Sequence, residues 1–90
     1  MCRNIKMLHN FAPPATEDEV RASAIQFVRK ISGFTRPSKA NEAAFEHAVA
    51  RVSDATRELL HSLVTQAPPR DREAEAAKAR ERGRLRFAPR

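Results

Sequence analysis

The sequence predicts an all-α protein: a helical hairpin, short helix one and long helix two, clasped by an extended N-terminal arm and followed by a partly helical or flexible basic tail. Three observations carry that expectation. The chain has neither Trp nor Tyr and only two Gly, and its abundant Ala, Arg and Glu favour helix over sheet. Two long apolar stripes recur at intervals of three and four, the helical period. Five of the six prolines stand at the edges of those stripes and none inside them, at Pro13-Pro14, Pro37 and Pro68-Pro69.

Ninety residues form one domain with a small core. Three regions divide it: an arm over 1–15, the hairpin over 16–67 and the tail over 68–90. The arm carries Ile5, Met7, Leu8 and Phe11 and ends in Pro13-Pro14, a pair that cannot continue a helix and marks an extended connection.

Helix one is expected to start at Thr16. Glu19 follows three residues later, the spacing of a capping box in which the hydroxyl accepts the Glu19 amide and the carboxylate accepts the Thr16 amide. Val20, Ala24, Phe27, Val28 and Ile31 then form one apolar stripe. Arg29 and Lys30 in the last turn, followed by Gly33, mark the end. Helix two enters through Phe34-Thr35-Arg36-Pro37, with Ser38 or Asn41 available as cap. Its stripe runs Phe45, Val49, Val52, Leu59, Leu60, Leu63 and Val64, and predicts a helix from about Lys39 to Thr65, roughly 40 Å at 1.5 Å per residue. Helix one is about half as long, so the far half of helix two needs cover from the arm, the tail or a second chain. The expected core centre is Phe27, Val28, Ile31, Phe45, Val49 and Val52, with Phe34 a further core aromatic. From Asp71 to Arg82 the composition is helix-forming but only Ala is apolar, so this stretch buries little.

Several sequence runs resemble a known family. They are the opening Met1-Cys-Arg-Asn-Ile-Lys6, Phe27-Val-Arg-Lys-Ile-Ser-Gly-Phe34, Pro37-Ser-Lys-Ala-Asn-Glu42 and Ala55-Thr-Arg-Glu-Leu-Leu60. Together they resemble a family of small bacterial proteins known as a domain of unknown function, over residues 1 to about 70. The resemblance implies a bacterial, cytoplasmic protein and brings no activity, ligand or catalytic residue with it.

Charge is the strongest functional signal. Seventeen Lys and Arg against eleven Asp and Glu leave a net charge of +6, which points toward polyanions. No apolar run reaches the roughly 20 residues of a membrane span, nor does one of signal-peptide length follow Arg3 and Lys6, so a cytoplasmic protein with no membrane contact is expected. The single cysteine, Cys2, excludes an intramolecular disulfide and suits a reducing compartment.

Three places can carry chemistry. Cys2 is the first. Freed of Met1 it would offer an amine and a thiolate to a soft metal, with His9, His47 or His61 as further ligands, or act as a nucleophile activated by Arg3 and Lys6. No partner stands at metal-site spacing, and His47 and His61 are about 21 Å apart along one helix. A reduced, incidental cysteine is therefore the preferred reading, with no metal and no cofactor. The second place is the loop entering helix two, where Thr35, Arg36, Ser38, Lys39 and Asn41 surround a helix start, a setting that attracts anions; ordinary capping with solvated charges is the plainer account. The third is the tail. Lys78, Arg80, Arg82, Arg84 and Arg86 are separated by one residue each, and Phe87 follows. Cations of this kind contact phosphates with little sequence preference, and the ring suits base stacking.

One cysteine, three histidines and scattered acids form no nucleophile, base and orienting group, so no enzyme is expected. The expectation is a charge-driven nucleic-acid-associated protein, DNA or RNA undetermined. The alternative is a protein-interaction module in which the apolar far half of helix two docks on a second copy or another protein and the tail solubilises.

Overall fold

Thr16 and Glu19 open the first helix together. In a computed structural model of the chain, which describes residues 5–86, the Glu19 amide donates to Thr16 Oγ1 at 3.2 Å and the Thr16 amide donates to Glu19 Oε1 at 2.9 Å. This reciprocal pair satisfies amides that a helix start leaves open, and α1 runs from there over Glu17–Ser32. Gly33 closes it at a φ of 79°, its amide donating to the Arg29 carbonyl at 2.9 Å. That is the left-handed stop a Cβ would make costly.

The second helix is shorter than its apolar pattern. A single 3₁₀ turn covers Lys39–Asn41 and α2 covers Glu42–Ser62, in place of one helix from Lys39 to Thr65. At the start, the Asn41 and Glu42 amides bond to the Ser38 and Lys39 carbonyls, the tighter i→i+3 pattern. At the end Leu63 turns extended, with ψ 137°. The periodicity continues through Val64, but α1 is only about 24 Å long and has run out. Apolar spacing without a surface to pack against does not hold a helix.

α1 and α2 pack as an antiparallel hairpin, and their seam is the core. Val20, Ala24 and Val28 of α1 are buried with Phe45 and Val49 of α2; Ile25, Ala48 and Val52 pack at its border. Ion pairs flank the seam, Arg21 with Glu46 at 2.9 Å and Arg57 with Glu17 at 2.6 Å. The molecule is only 18 Å in its thinnest direction, and over one face of the seam the arm residues Ile5, Lys6 and Leu8 line a hollow with Ala24, Phe27, Val52 and Leu60. Three residues expected in the core are outside it: Phe27 is 45% exposed, Ile31 72% and Phe34 44%. Phe27 is rotated about 100° from Val28. Ile31 lies one turn beyond Phe27, toward the end of α1.

Ser53 is the one buried polar residue of the seam, and its hydroxyl has no hydrogen-bond partner. An unsatisfied buried hydroxyl is destabilising. Ser53→Ala is expected to leave stability unchanged or to raise it by about 1 kcal/mol, read as the urea midpoint. A loss of that size instead would mean the hydroxyl is satisfied.

The arm closes the open end of the hairpin by binding the segment after α2. Strand β1, Phe11–Ala12, pairs in parallel with β2, Arg70–Asp71. Asn10 reaches φ 63°, a region Asn tolerates; its carbonyl accepts the Arg70 amide at 2.7 Å and its side-chain amide donates to Pro68 O at 3.1 Å. Leu8 and Phe11 line a groove of about 460 Å³ together with Leu60 and Leu63. The arm thus stands over one side of α2's far end, while Leu59, Leu63 and Val64 stay exposed.

Arg72 completes this closure and begins α3, Arg72–Arg86. Its guanidinium donates to both Glu19 oxygens, at 2.7 and 2.9 Å, and to Pro13 O at 2.6 Å, and lies 5.7 Å from the centre of the Phe11 ring. Arm, α1 and α3 therefore meet on one side chain. Arg72, with the Thr16 amide, holds the Glu19 carboxyl down from 4.5 to about 2. A lowered pKa in the folded state contributes stability that is present above about pH 4.5 and is lost as the pH falls toward 2. Melting temperature is expected to fall across that window, and Glu19→Gln is expected to flatten the fall. Glu17 is lowered in the same sense by Arg57, and Glu81 by Arg84, so some acid dependence survives in the variant. An unchanged acid limb in Glu19→Gln would mean that this ion pair is not linked to folding.

Candidate nucleic-acid interface

The cations of the hairpin tip follow from how α1 stops and α2 starts. Arg29 and Lys30 occupy α1's last turn, where cations suit the negative end of the helix dipole. Past Gly33, the Phe34 amide donates to Ser32 Oγ at 3.2 Å, which fixes the exit of the chain. Pro37 and the 3₁₀ turn then carry it into α2. Asn41 Nδ2 donates to Ser38 Oγ at 3.1 Å, and neither side chain caps a helix amide. The Asn41 and Glu42 amides are occupied within the turn, so an anion at this end would meet side-chain cations rather than an open row of amides.

From Val20 to Asn41 the sequence holds five basic residues and no acid. Arg21 is spent on Glu46. Arg29, Lys30, Arg36 and Lys39 are exposed, and among the described residues no acidic partner reaches any of them. Phe27, Ile31 and Phe34, on the same stretch of sequence, are exposed as well. Thr35 and Ser38 are also at the surface.

The tail is organised differently. α3 buries no residue, as its composition predicts, and much of its charge is balanced internally. Lys78 pairs with Glu75 at 3.5 Å, Arg80 with Glu73 at 3.5 Å and Arg84 with Glu81 at 2.6 Å. The Arg84 pair raises its own pKa and lowers that of Glu81. Arg82 lines a groove of about 630 Å³ between α3 and the arm, where Met7, Phe11 and Ala79 are its apolar neighbours. Arg86 is exposed at the helix end; Phe87 lies outside the described residues, as does Cys2.

These two groups of sequence-selected residues do not converge. Arg72 ties α3 to Glu19, and about 21 Å of α1 separates Glu19 from Gly33. No hydrogen bond or ion pair links Thr35, Arg36, Ser38 or Lys39 to Lys78, Arg80, Arg82 or Arg84. The residues that sequence reasoning passed over are Arg29 and Lys30, read as helix-end cations, and Phe27, Ile31 and Phe34, read as core. The acid-free stretch was the available signal.

His9 and His61 line the groove under the arm with Glu17 and Arg57. Among the described residues no group of three or more His, Cys, Asp or Glu is placed to hold a metal ion. Among them, too, no helix is long and apolar enough to cross a membrane.

The sequence matches, over residues 1–78, the family described as uncharacterized conserved protein (DUF2277). The hairpin tip lies inside that span and the last part of α3 beyond it. No curated protein and no solved structure matches the chain.

Proposed function

The chain belongs to this family of uncharacterized conserved proteins, and from that premise, which assigns no activity, we propose that it binds nucleic acid by charge and is not an enzyme. One observation carries the reading: four exposed cations at the hairpin tip, Arg29, Lys30, Arg36 and Lys39, have no acidic partner among the described residues and lie on a stretch of sequence without acids. Unpaired surface cations neutralise phosphates and release their counterions. The tip supplies the main contact and α3 a weaker one, because Lys78, Arg80 and Arg84 must give up acids on their own helix to reach a phosphate. No base-reading module accompanies these charges, so recognition is of backbone and shape. The same proposal places the protein in the bacterial cytoplasm.

Docking through α2's far end is the weaker reading. The arm stands beside Leu60 and Leu63, and although Leu59, Leu63 and Val64 stay exposed, nothing in the structure shows what would cover them. The test is a titration of the full chain against labelled RNA and DNA at several salt concentrations, with solution mass measured alongside. Binding that weakens steeply with salt is expected from a monomer. Absence of binding at low salt would sink the reading, and a concentration-dependent dimer would restore the docking alternative.

A further inference from the structure

α1's apolar stripe does not stop where the core stops. Phe27 and Ile31, one turn apart on the same face, continue it into solvent, and Phe34 follows immediately beyond the Gly33 stop. All three are large, and all three are 44% exposed or more. A hollow of about 240 Å³ opens beside Phe27, lined by Ile5, Lys6, Ala24 and Val52 among others. Two half-exposed phenyl rings, Phe27 and Phe34, belong to the same acid-free stretch of chain as the exposed Arg29, Lys30, Arg36 and Lys39, a combination with a definite chemistry. Ring faces attract flat apolar partners, and the charges around them attract phosphate.

We propose that Phe27 and Phe34 are a stacking platform for unpaired bases, so that the ligand of the tip is single-stranded or looped nucleic acid rather than duplex. This deepens the charge reading above and rests on it. In a duplex the base faces are stacked on one another, and only groove edges and phosphates are offered. A single strand presents base faces and phosphates together, and any base can stack on a ring, so no sequence motif is required. Ile31, between the two rings in sequence, is itself 72% exposed. A second copy of this chain fits the patch less well. A two-fold contact would set Arg29, Lys30, Arg36 and Lys39 near their own equivalents, and like charges brought together oppose association.

The experiment is a low-salt titration of the full chain against a labelled oligouridine and a duplex of equal length. It is repeated with Phe34→Ala, Phe27→Ala and the ring-free but bulky Phe34→Leu, each checked by thermal melting. Single strand is expected to bind more tightly than duplex. Each alanine variant is expected to weaken single-strand binding by about 5- to 150-fold and leave duplex binding unchanged. Phe34→Leu is expected to melt as the parent does and still lose the single-strand advantage. Equal binding of both polymers, unaffected by the three variants, would overturn the stacking platform and leave the charge reading standing. No binding of either polymer would overturn both. Self-association that Phe27→Ala abolishes would assign the patch to a second copy instead.

Discussion

Phe45→Ala is expected to lower stability by about 3–5 kcal/mol and to leave the chain largely unfolded at ordinary temperature. Among the described residues Phe45 is the only buried aromatic one, and it packs with Ala24, Val28 and Val49 in the seam between α1 and α2. That seam is nearly the whole core, because α3 buries nothing. A domain of this size commands about 5–10 kcal/mol in total, so a cavity in its largest packed contact removes a large share. The slab leaves few elements able to relax into the gap. Helicity followed through a urea titration measures the effect, with Phe34→Ala as the internal contrast. The same side chain is deleted there from the surface, where changes stay within about 0.5 kcal/mol. Equal effects of the two substitutions would mean that the seam does not run through Phe45.

Removing the four tip cations together, Arg29→Ala, Lys30→Ala, Arg36→Ala and Lys39→Ala, is expected to produce the largest loss of binding. Each phosphate neutralised on a single strand contributes about −0.7 to the log-log salt slope, so the slope should become shallower by about 3. At about 0.1 M salt the same release amounts to roughly two to three orders of magnitude in affinity. None of the four side chains makes an ion pair in the fold, so melting should barely change. Removing Lys78, Arg80 and Arg84 is expected to flatten the slope less, because Glu75, Glu73 and Glu81 already neutralise part of their charge. The reverse ranking, with the tail dominant, would displace the tip as the interface.

Both expectations bear on what could be read from residues alone. The start and stop of α1 were legible because capping is local. Thr16, Glu19 and Gly33 act within one turn, and no distant contact is needed to know what they do. The seam residues Val28, Phe45 and Val49 were legible from periodicity. The tail's lack of burial followed from its Ala-only apolar content. Charge in the tail was visible as a count, but its pairing was not, since whether Arg80 meets Glu73 depends on the segment being helical.

The sequence by itself determined the hairpin, the caps of α1 and the basic character of the chain, because these rest on neighbours within four residues. Only the tertiary structure decided which apolar residues are buried. Periodicity assigns Phe27 and Ile31 to the inner face of α1, yet Phe27 is turned from Val28 toward a hollow beside Val52, and Ile31, one turn further on, stands 72% exposed. It also decided that Arg72 should join Glu19, Pro13 and Phe11, contacts spanning more than fifty residues of chain that no local spacing encodes. The candidate interface depends on the first of these decisions, since aromatic rings among unpaired cations are a binding surface only where the fold leaves them uncovered.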